Sequence, residues 1–428
     1  MTQITAEQYN RRLDAIAATP AMQHDNVHLP QAALGAAGRL MIGIGLLLLG
    51  ITLVGAFVYT PKHALAAYQV GVMSVTAISL GGLFWVMVFH LVAAGWSTTV
   101  RRVFEQLMAM LPWCVALLLP IVVIEVAAGG VLLEWLSIDP ETSFLVGLKE
   151  PFLNAPFFVF RFLLYASVWV ILANRLFGFS VEQDATGDRF LSNKARVTSS
   201  WGMLLFALFT AFFAFDFMMA MDYRFFSTMW GVYYATSAFF GSIAVVVLIL
   251  LASKAFGRLT GAVSNEHVHD LGKLLFAFGA PFWAYIAFSQ YFLIWYSNIP
   301  EETAWFVHRQ QGGWENLAAL LVIGHFLIPF LILLFRPLKR ALPALAIMAV
   351  WLLFMLVLDM IYIIRPMVYL KDLADQNPGF TAIWLDLAGI LGVIGIWTGI
   401  LVMRLGRYPL VPLKDPRLPE ALHHKNYV

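Results

Sequence analysis

Ten apolar stretches, each long enough to cross a bilayer, recur along this chain near residues 38 to 60, 69 to 95, 109 to 134, 155 to 175, 198 to 220, 229 to 253, 271 to 298, 315 to 336, 343 to 369 and 382 to 404. About 20 helical residues, rising about 1.5 Å each, cross a hydrocarbon layer of about 30 Å. Lipid offers no water to backbone N–H and C=O groups, so only helices and closed barrels can span it. A barrel would show alternation over segments of about ten residues, and none is visible. The chain therefore reads as an all-α polytopic membrane protein with about ten transmembrane helices. Its 61% hydrophobic and 12% charged residues exclude a soluble fold for 428 residues.

Loop charge sets an expected orientation. With the N-terminus inside, 20 Lys and Arg residues fall on the cytoplasmic side. Only six, Lys62, Lys149, Arg224, Arg309, Arg365 and Lys371, fall on or near the other. Basic residues are retained inside during insertion, which predicts both termini on the cytoplasmic side of an inner membrane. The division expected is a cytoplasmic segment 1–37, a transmembrane domain 38–404 and a cytoplasmic tail 405–428. The first apolar run follows a polar leader and is too long for a cleaved signal core. Within the leader, Thr5 to Ala18 has the spacing of a surface helix or of a disordered tail. The other end, with Pro409, Pro412, Pro416 and Pro419 before His423 and His424, reads as an extended strap. The basic residues are topology signals, and a net charge of +2 indicates no nucleic-acid partner.

Six charged residues interrupt the apolar runs: Glu125, Arg161, Asp216, Asp359, Arg365 and Asp386. Ionised groups at membrane depth are costly unless paired or hydrated, and so mark functional candidates. By helical rise, Glu125 lies about 14 Å, Arg161 about 9 Å, Asp216 about 6 Å and Asp359 about 15 Å from the outer helix ends. All six fall in the outer half. Glu125 and Arg161, on consecutive antiparallel helices, form the expected ion pair. Tyr362 shares a helix face with Asp359, and Thr76, Ser79, Tyr285, Ser289, Gln290 and Tyr291 supply polar side chains that can carry water between acids. The inner half offers His90 and the boundary groups Asp270 and Lys273. A proton half-path from outside fits this distribution; static buried pairs between helices are the plainer reading.

Redox chemistry within the chain is restricted. Cys114 is the only cysteine, which excludes internal disulfides, cysteine-ligated clusters and C-x-x-C-H haem attachment. His90 lies about 30 Å and His325 about 15 Å below the outer helix ends, so the two cannot readily share one haem iron. Each imidazole is expected to hydrogen-bond a neighbouring helix, and no cofactor or metal is expected in this chain.

Two runs are compositionally unusual. The first is Phe215-Asp216-Phe217-Met218-Met219-Ala220-Met221-Asp222, continuing through Phe225-Phe226-Ser227-Thr228-Met229-Trp230-Gly231-Val232-Tyr233. The second opens a helix with Asp270-Leu271-Gly272-Lys273-Leu274 and closes it with Phe288-Ser289-Gln290-Tyr291 and Trp295-Tyr296-Ser297-Asn298-Ile299-Pro300-Glu301-Glu302. Together they resemble the ActF family of membrane proteins from bacterial alternative complex III, itself related to the polysulfide-reductase (NrfD-like) membrane family. Phe217 and Ala220 stand where ActF proteins usually have tryptophan and serine. The ten-helix count is similar across nearly the whole chain.

This resemblance implies two four-helix bundles, helices two to five and six to nine, with flanking helices. It further implies a member without a redox centre in a quinol:acceptor oxidoreductase, whose haem c, iron-sulfur clusters and quinol belong to partner proteins. The implied partners are an NrfD-like paralogue that holds the quinol site, other membrane proteins of the complex, lipid, and extrinsic multihaem cytochrome and iron-sulfur proteins. The implied role is support together with proton conduction by Glu125, Arg161, Asp216, Asp359, Tyr362 and Asp386, with His90, Lys273, Tyr285 and Gln290 contributing. Glu301 and Glu302, with Asp139, Glu141, Glu150, Asp372 and Asp375, make the outer loops acidic, either as ordinary solvated charge or as a docking surface. Two rival classes stand beside this one. One is a quinol-binding NrfD-like protein with Trp85, His90, Phe282, Trp283 and Tyr285 around the headgroup. The other is a proton-coupled transporter, which the mostly continuous helices disfavour.

Overall fold

Hydrophobic length alone divides the chain, and the computed structural model divides it the same way. It describes residues 18–369 and 380–426 together with residues 8, 11, 15 and 16. Arg12, Lys371, Asp372, Asp375, Pro378 and most of the segment Thr5 to Ala18 lie outside the described residues. Among the described residues ten helices are long and apolar enough to cross a membrane: α1 (His24–Val58), α2 (Pro61–Leu91), α3 (Gly95–Ala127), α4 (Ala155–Thr186), α5 (Phe190–Met221), α6 (Trp230–Ala255), α7 (Asn265–Ser297), α8 (Trp314–Leu334), α9 (Leu342–Val368) and α10 (Ile383–Leu405). No strand occurs among the described residues. The protein is an all-α, multi-pass membrane protein.

Several helices outrun their apolar stretches, because hydropathy marks the hydrocarbon slab while hydrogen bonding continues past it. Helix α2 starts at Pro61 rather than near 69, with the Thr60 hydroxyl accepting from the Lys62 N–H at 3.2 Å. Helix α3 starts at 95, through the polar turns of Thr98–Met108, and ends at Ala127, short of 134. Beyond it Gly129 and Gly130 take φ of 67° and 98°, a left-handed reversal that side chains resist. Helix α4 continues to Thr186, where Gly187 at φ 69° stops it.

Helices α2 to α5 form one bundle and α6 to α9 another, with α2 against α6 between them and α1 and α10 flanking α2. Indole and phenol donors tie the two bundles: Trp85 Nε1 donates to the Phe239 carbonyl at 2.9 Å and the Tyr234 hydroxyl to Met73 at 2.8 Å. Glycines let α1 and α10 touch backbone to backbone, for a Cβ on Gly45 would stand 2.7 Å from the Gly392 carbonyl oxygen.

Helices α7 and α8 are less regular than their apolar runs imply. Each contains a π-helical segment, Phe278–Phe282 with Pro281 inside it and Leu321–Leu327, and the two pack together. A π turn leaves carbonyls without their usual helical partner; here the Gly324 carbonyl accepts from Trp351 Nε1 at 2.7 Å.

Ten crossings put both described ends on one face, the terminal face. There the two ends are joined, the Leu410 N–H donating to the Val27 carbonyl at 2.7 Å, and the α6–α7 connection meets them, the Leu259 N–H donating to the Asn26 carbonyl at 2.9 Å.

Candidate functional site

All six intramembrane charges lie toward the face opposite the termini, and they resolve into four local arrangements rather than one network. The expected Glu125–Arg161 pair does not form. Arg161 instead clasps Asp216, with Nη2 2.7 Å from Oδ1 and Nε within 3.2 Å of both oxygens. Arg161 Nη1 also donates to the Phe152 carbonyl at 2.6 Å, and the guanidinium lies 3.8 Å from the Phe152 ring centre and 4.6 Å from that of Phe157. Consecutive helices placed Glu125 within plausible reach, but the reversal after α3 offers it three backbone donors. The N–H groups of Val131, Leu132 and Leu133 reach Glu125 at 2.9, 2.9 and 3.1 Å. The third arrangement joins Asp386 to Arg365 at 2.6 Å and to His63 Nε2 at 3.0 Å.

Asp359 differs in kind. It is fully buried on α9, and its hydrogen-bond partners among the described residues are neutral: the Tyr233 hydroxyl at 2.5 Å and Trp283 Nε1 at 3.1 Å. Both donors stand on the wall of a cavity of about 770 Å³ formed by α6, α7, α8 and α9. Tyr285, Gln290 and Tyr362 also line it. Gln290 is buried, and its Oε1 is unpartnered among the described residues, an atom that internal water can satisfy. Arg309, fully buried on the same wall, donates to the carbonyls of Trp305, Tyr362 and Ile363 at 2.8, 2.9 and 2.6 Å and lies 3.3 Å from the Trp305 ring centre. Its charge is thus held by dipoles and a π face.

The two unusual runs build this region. Asp216 fixes Arg161, Asp222 caps the following turn at the Arg224 N–H at 3.0 Å, and Phe225 and Trp230 pack on Trp305 with ring centres 5.1 and 5.2 Å apart. In the second run Asn298 stops α7 at φ 50°, and Pro300 opens the short helix Pro300–Val307. Glu301 and Glu302 then occupy its first turn, where carboxylates oppose the helix dipole. Glu301 is exposed but Glu302 is buried, so the two do not form a shared acidic docking surface.

No family model matches this chain, and no curated protein matches it.

Other candidates separate. Of the five side chains expected around a headgroup, Trp283 and Tyr285 line the cavity; Phe282, Trp85 and His90 do not. His325 stacks on Trp283 at 4.0 Å, and neither of its ring nitrogens has a hydrogen-bond partner among the described residues, contrary to the expected bond to a neighbouring helix. Cys114 is buried, its Sγ donating to Ser79 Oγ at 3.3 Å.

The terminal half is richer in charge than expected. Arg101 meets Glu105 at 3.0 Å and Asp415 of the tail at 2.6 Å; Arg102 lies 2.9 Å from Glu105, out of line for a hydrogen bond, and bonds Asp184 at 2.7 Å. His90 is buried within electrostatic reach of Arg101 and Asp415. Burial alone would raise the Asp415 carboxyl, but Arg101 beside it outweighs that and holds it below the usual range. Lys273 pairs with Asp270, which also meets His424 at 2.6 Å. The signal missed was spacing: residues 101, 102 and 105 share one face of an amphipathic turn. The tail packs on the terminal face with Leu410, Val411 and Leu418 buried, but it is not extended throughout, since Leu418–Leu422 forms a short helix.

Proposed function

We propose that this chain is a membrane component of a quinol:acceptor oxidoreductase of the alternative complex III type, supporting assembly and providing a proton half-path from the face opposite the termini. On this reading both termini are cytoplasmic, and haem c, iron-sulfur and quinol chemistry belong to partner proteins. One observation carries the proton role: among the four intramembrane carboxylates, Asp359 alone is held by neutral side-chain donors that stand on a cavity wall. Glu125 is fixed by three N–H groups, and Asp216 and Asp386 face arginines. Proton gain or loss at Asp359 changes the charge of its surroundings, with Tyr233, Gln290 and Tyr362 leading toward the cavity. The two runs around Asp216 and Asn298 support the assembly. Mild-detergent purification with identification of co-purifying proteins and haem spectra tests it: multihaem and iron-sulfur partners are expected, and a solitary chain that takes up solute would replace this reading with a transporter.

The aromatic cavity favours a second reading, a quinol headgroup site walled by Trp283 and Tyr285. A photoreactive quinone that labels α7 or α8, with labelling suppressed by excess quinol, would select it.

A further inference from the structure

The cavity beside Asp359 is elongated, and only one end of it is polar. Its wall on α8 runs from Glu315 to Phe330, a helical rise of about 22 Å. Glu315, Arg309 and Gln310 mark the end at the face opposite the termini, and Phe326 and Phe330 mark the end deeper in the membrane. The cavity also opens sideways. Tyr285 and Phe288 on α7 and Val322 on α8 line it while being 64, 64 and 60% exposed, so a mouth between these two helices faces the surrounding lipid. A polar end, an apolar end and a lateral mouth fit an amphiphile that enters from the bilayer.

Two wall atoms specify its head. Trp230 Nε1 is a donor and Gln290 Oε1 an acceptor; their side chains are 1% and 5% exposed, and neither atom has a hydrogen-bond partner among the described residues. Buried polar groups are costly when left unpaired, so the head that fits must both accept and donate. A carbonyl or a carboxylate satisfies only the indole, an ammonium satisfies only the amide oxygen, and a hydroxyl satisfies both. An anionic head also meets Glu315 at the same end, while Arg309 already directs its described donors to three carbonyls. The rings of Trp283, Trp305 and Tyr362 suit a planar aromatic head. We infer that the cavity binds an amphiphile whose aromatic head carries hydroxyl groups, a quinol in preference to the quinone of the same skeleton. The assignment rests on the quinol reading of this cavity and adds to it a selection for the reduced form.

The test is equilibrium binding to the purified full chain in mixed micelles, without oxygen, using decylubiquinol, decylubiquinone and the dimethyl ether of the quinol. The quinol is expected to bind about tenfold tighter than the quinone, the effect of one buried hydrogen bond made or left unmade. The ether, which has lost both O–H donors, should bind no better than the quinone. Gln290→Leu should erase the preference by weakening the quinol alone, whereas Trp230→Phe should weaken quinol and quinone alike, because either oxygen accepts from the indole. The comparison of the three compounds needs no variant, so a destabilising substitution does not mask it. Equal affinity for quinol and quinone, an ether that binds as tightly as the quinol, or a preference that survives Gln290→Leu would each overturn the selection for the reduced form while leaving a quinone-type site in place. Binding of none of the three would overturn the quinol reading itself.

Discussion

Asp216→Asn removes the anion from a pair that is 1% exposed on its acidic side and leaves the Arg161 guanidinium behind. Breaking a buried pair from one side costs about 3–5 kcal/mol, because an uncompensated charge remains. Arg161 keeps its bond to Phe152 and its two aromatic neighbours, which places this variant near about 3 kcal/mol, the low end of that range. Arg161→Met strands a carboxylate whose donors among the described residues all come from Arg161, which places it near 5 kcal/mol, about the top of that range. Replacing both residues by Met and Leu removes the desolvation cost together with the attraction, and the double variant should come within about 2 kcal/mol of the parent. A double-mutant cycle by reversible unfolding in mixed micelles measures this, with strong non-additivity expected. A loss below about 1 kcal/mol for Asp216→Asn, the level of an exposed pair, or additive single effects, would refute the pairing argument.

Glu125→Ala leaves the N–H groups of Val131, Leu132 and Leu133 without their acceptor, at about 1–3 kcal/mol each if water stays out; hydrogen exchange at those amides should accelerate, and unchanged protection would remove Glu125 from that role. Gly45→Val should lower the unfolding temperature by forcing α1 from α10, whereas Gly43→Val, with no atom within 4 Å of a new Cβ, should not; equal effects would contradict the backbone contact. The Asp415 carboxyl titrates lower in the folded chain than the ordinary aspartate near ~3.9. The stability it contributes is therefore fully present above that value and lost as pH falls through the lower folded one. Hydrogen exchange across residues 410–422 should stay protected from pH ~8 to ~5 on this contact, and Asp415→Asn should loosen the tail at every pH in that window.

The fold was legible because each crossing is written in about 20 consecutive apolar residues. Helix ends were not, since Thr60 and Gly187 act through hydrogen bonding and φ beyond the slab. The intramembrane charges were found by the same contrast, yet their partners were not. Glu125 and Arg161 matched in depth, but depth ignores rotation about each helix axis and the loop donors at 131–133. The cluster of Arg101, Arg102, Glu105 and Asp415 was hidden differently: three of its members sit in a polar segment that hydropathy treats as loop, and the fourth lies 310 residues from Glu105 in sequence. The π turns in α7 and α8 leave no mark in hydropathy, although Pro281 stands inside one of them.

The central claim is that Asp359, held by Tyr233 and Trp283 at the cavity wall, exchanges protons with the face opposite the termini. It is tested most directly by proton translocation in liposomes containing the purified assembly, with Asp359→Asn compared with the parent at matched quinol oxidation. The asparagine keeps shape and an acceptor for Tyr233 but cannot take up a proton, so translocation should fall while uncoupled oxidation is largely retained. Unchanged proton yield per quinol in that variant would contradict the account.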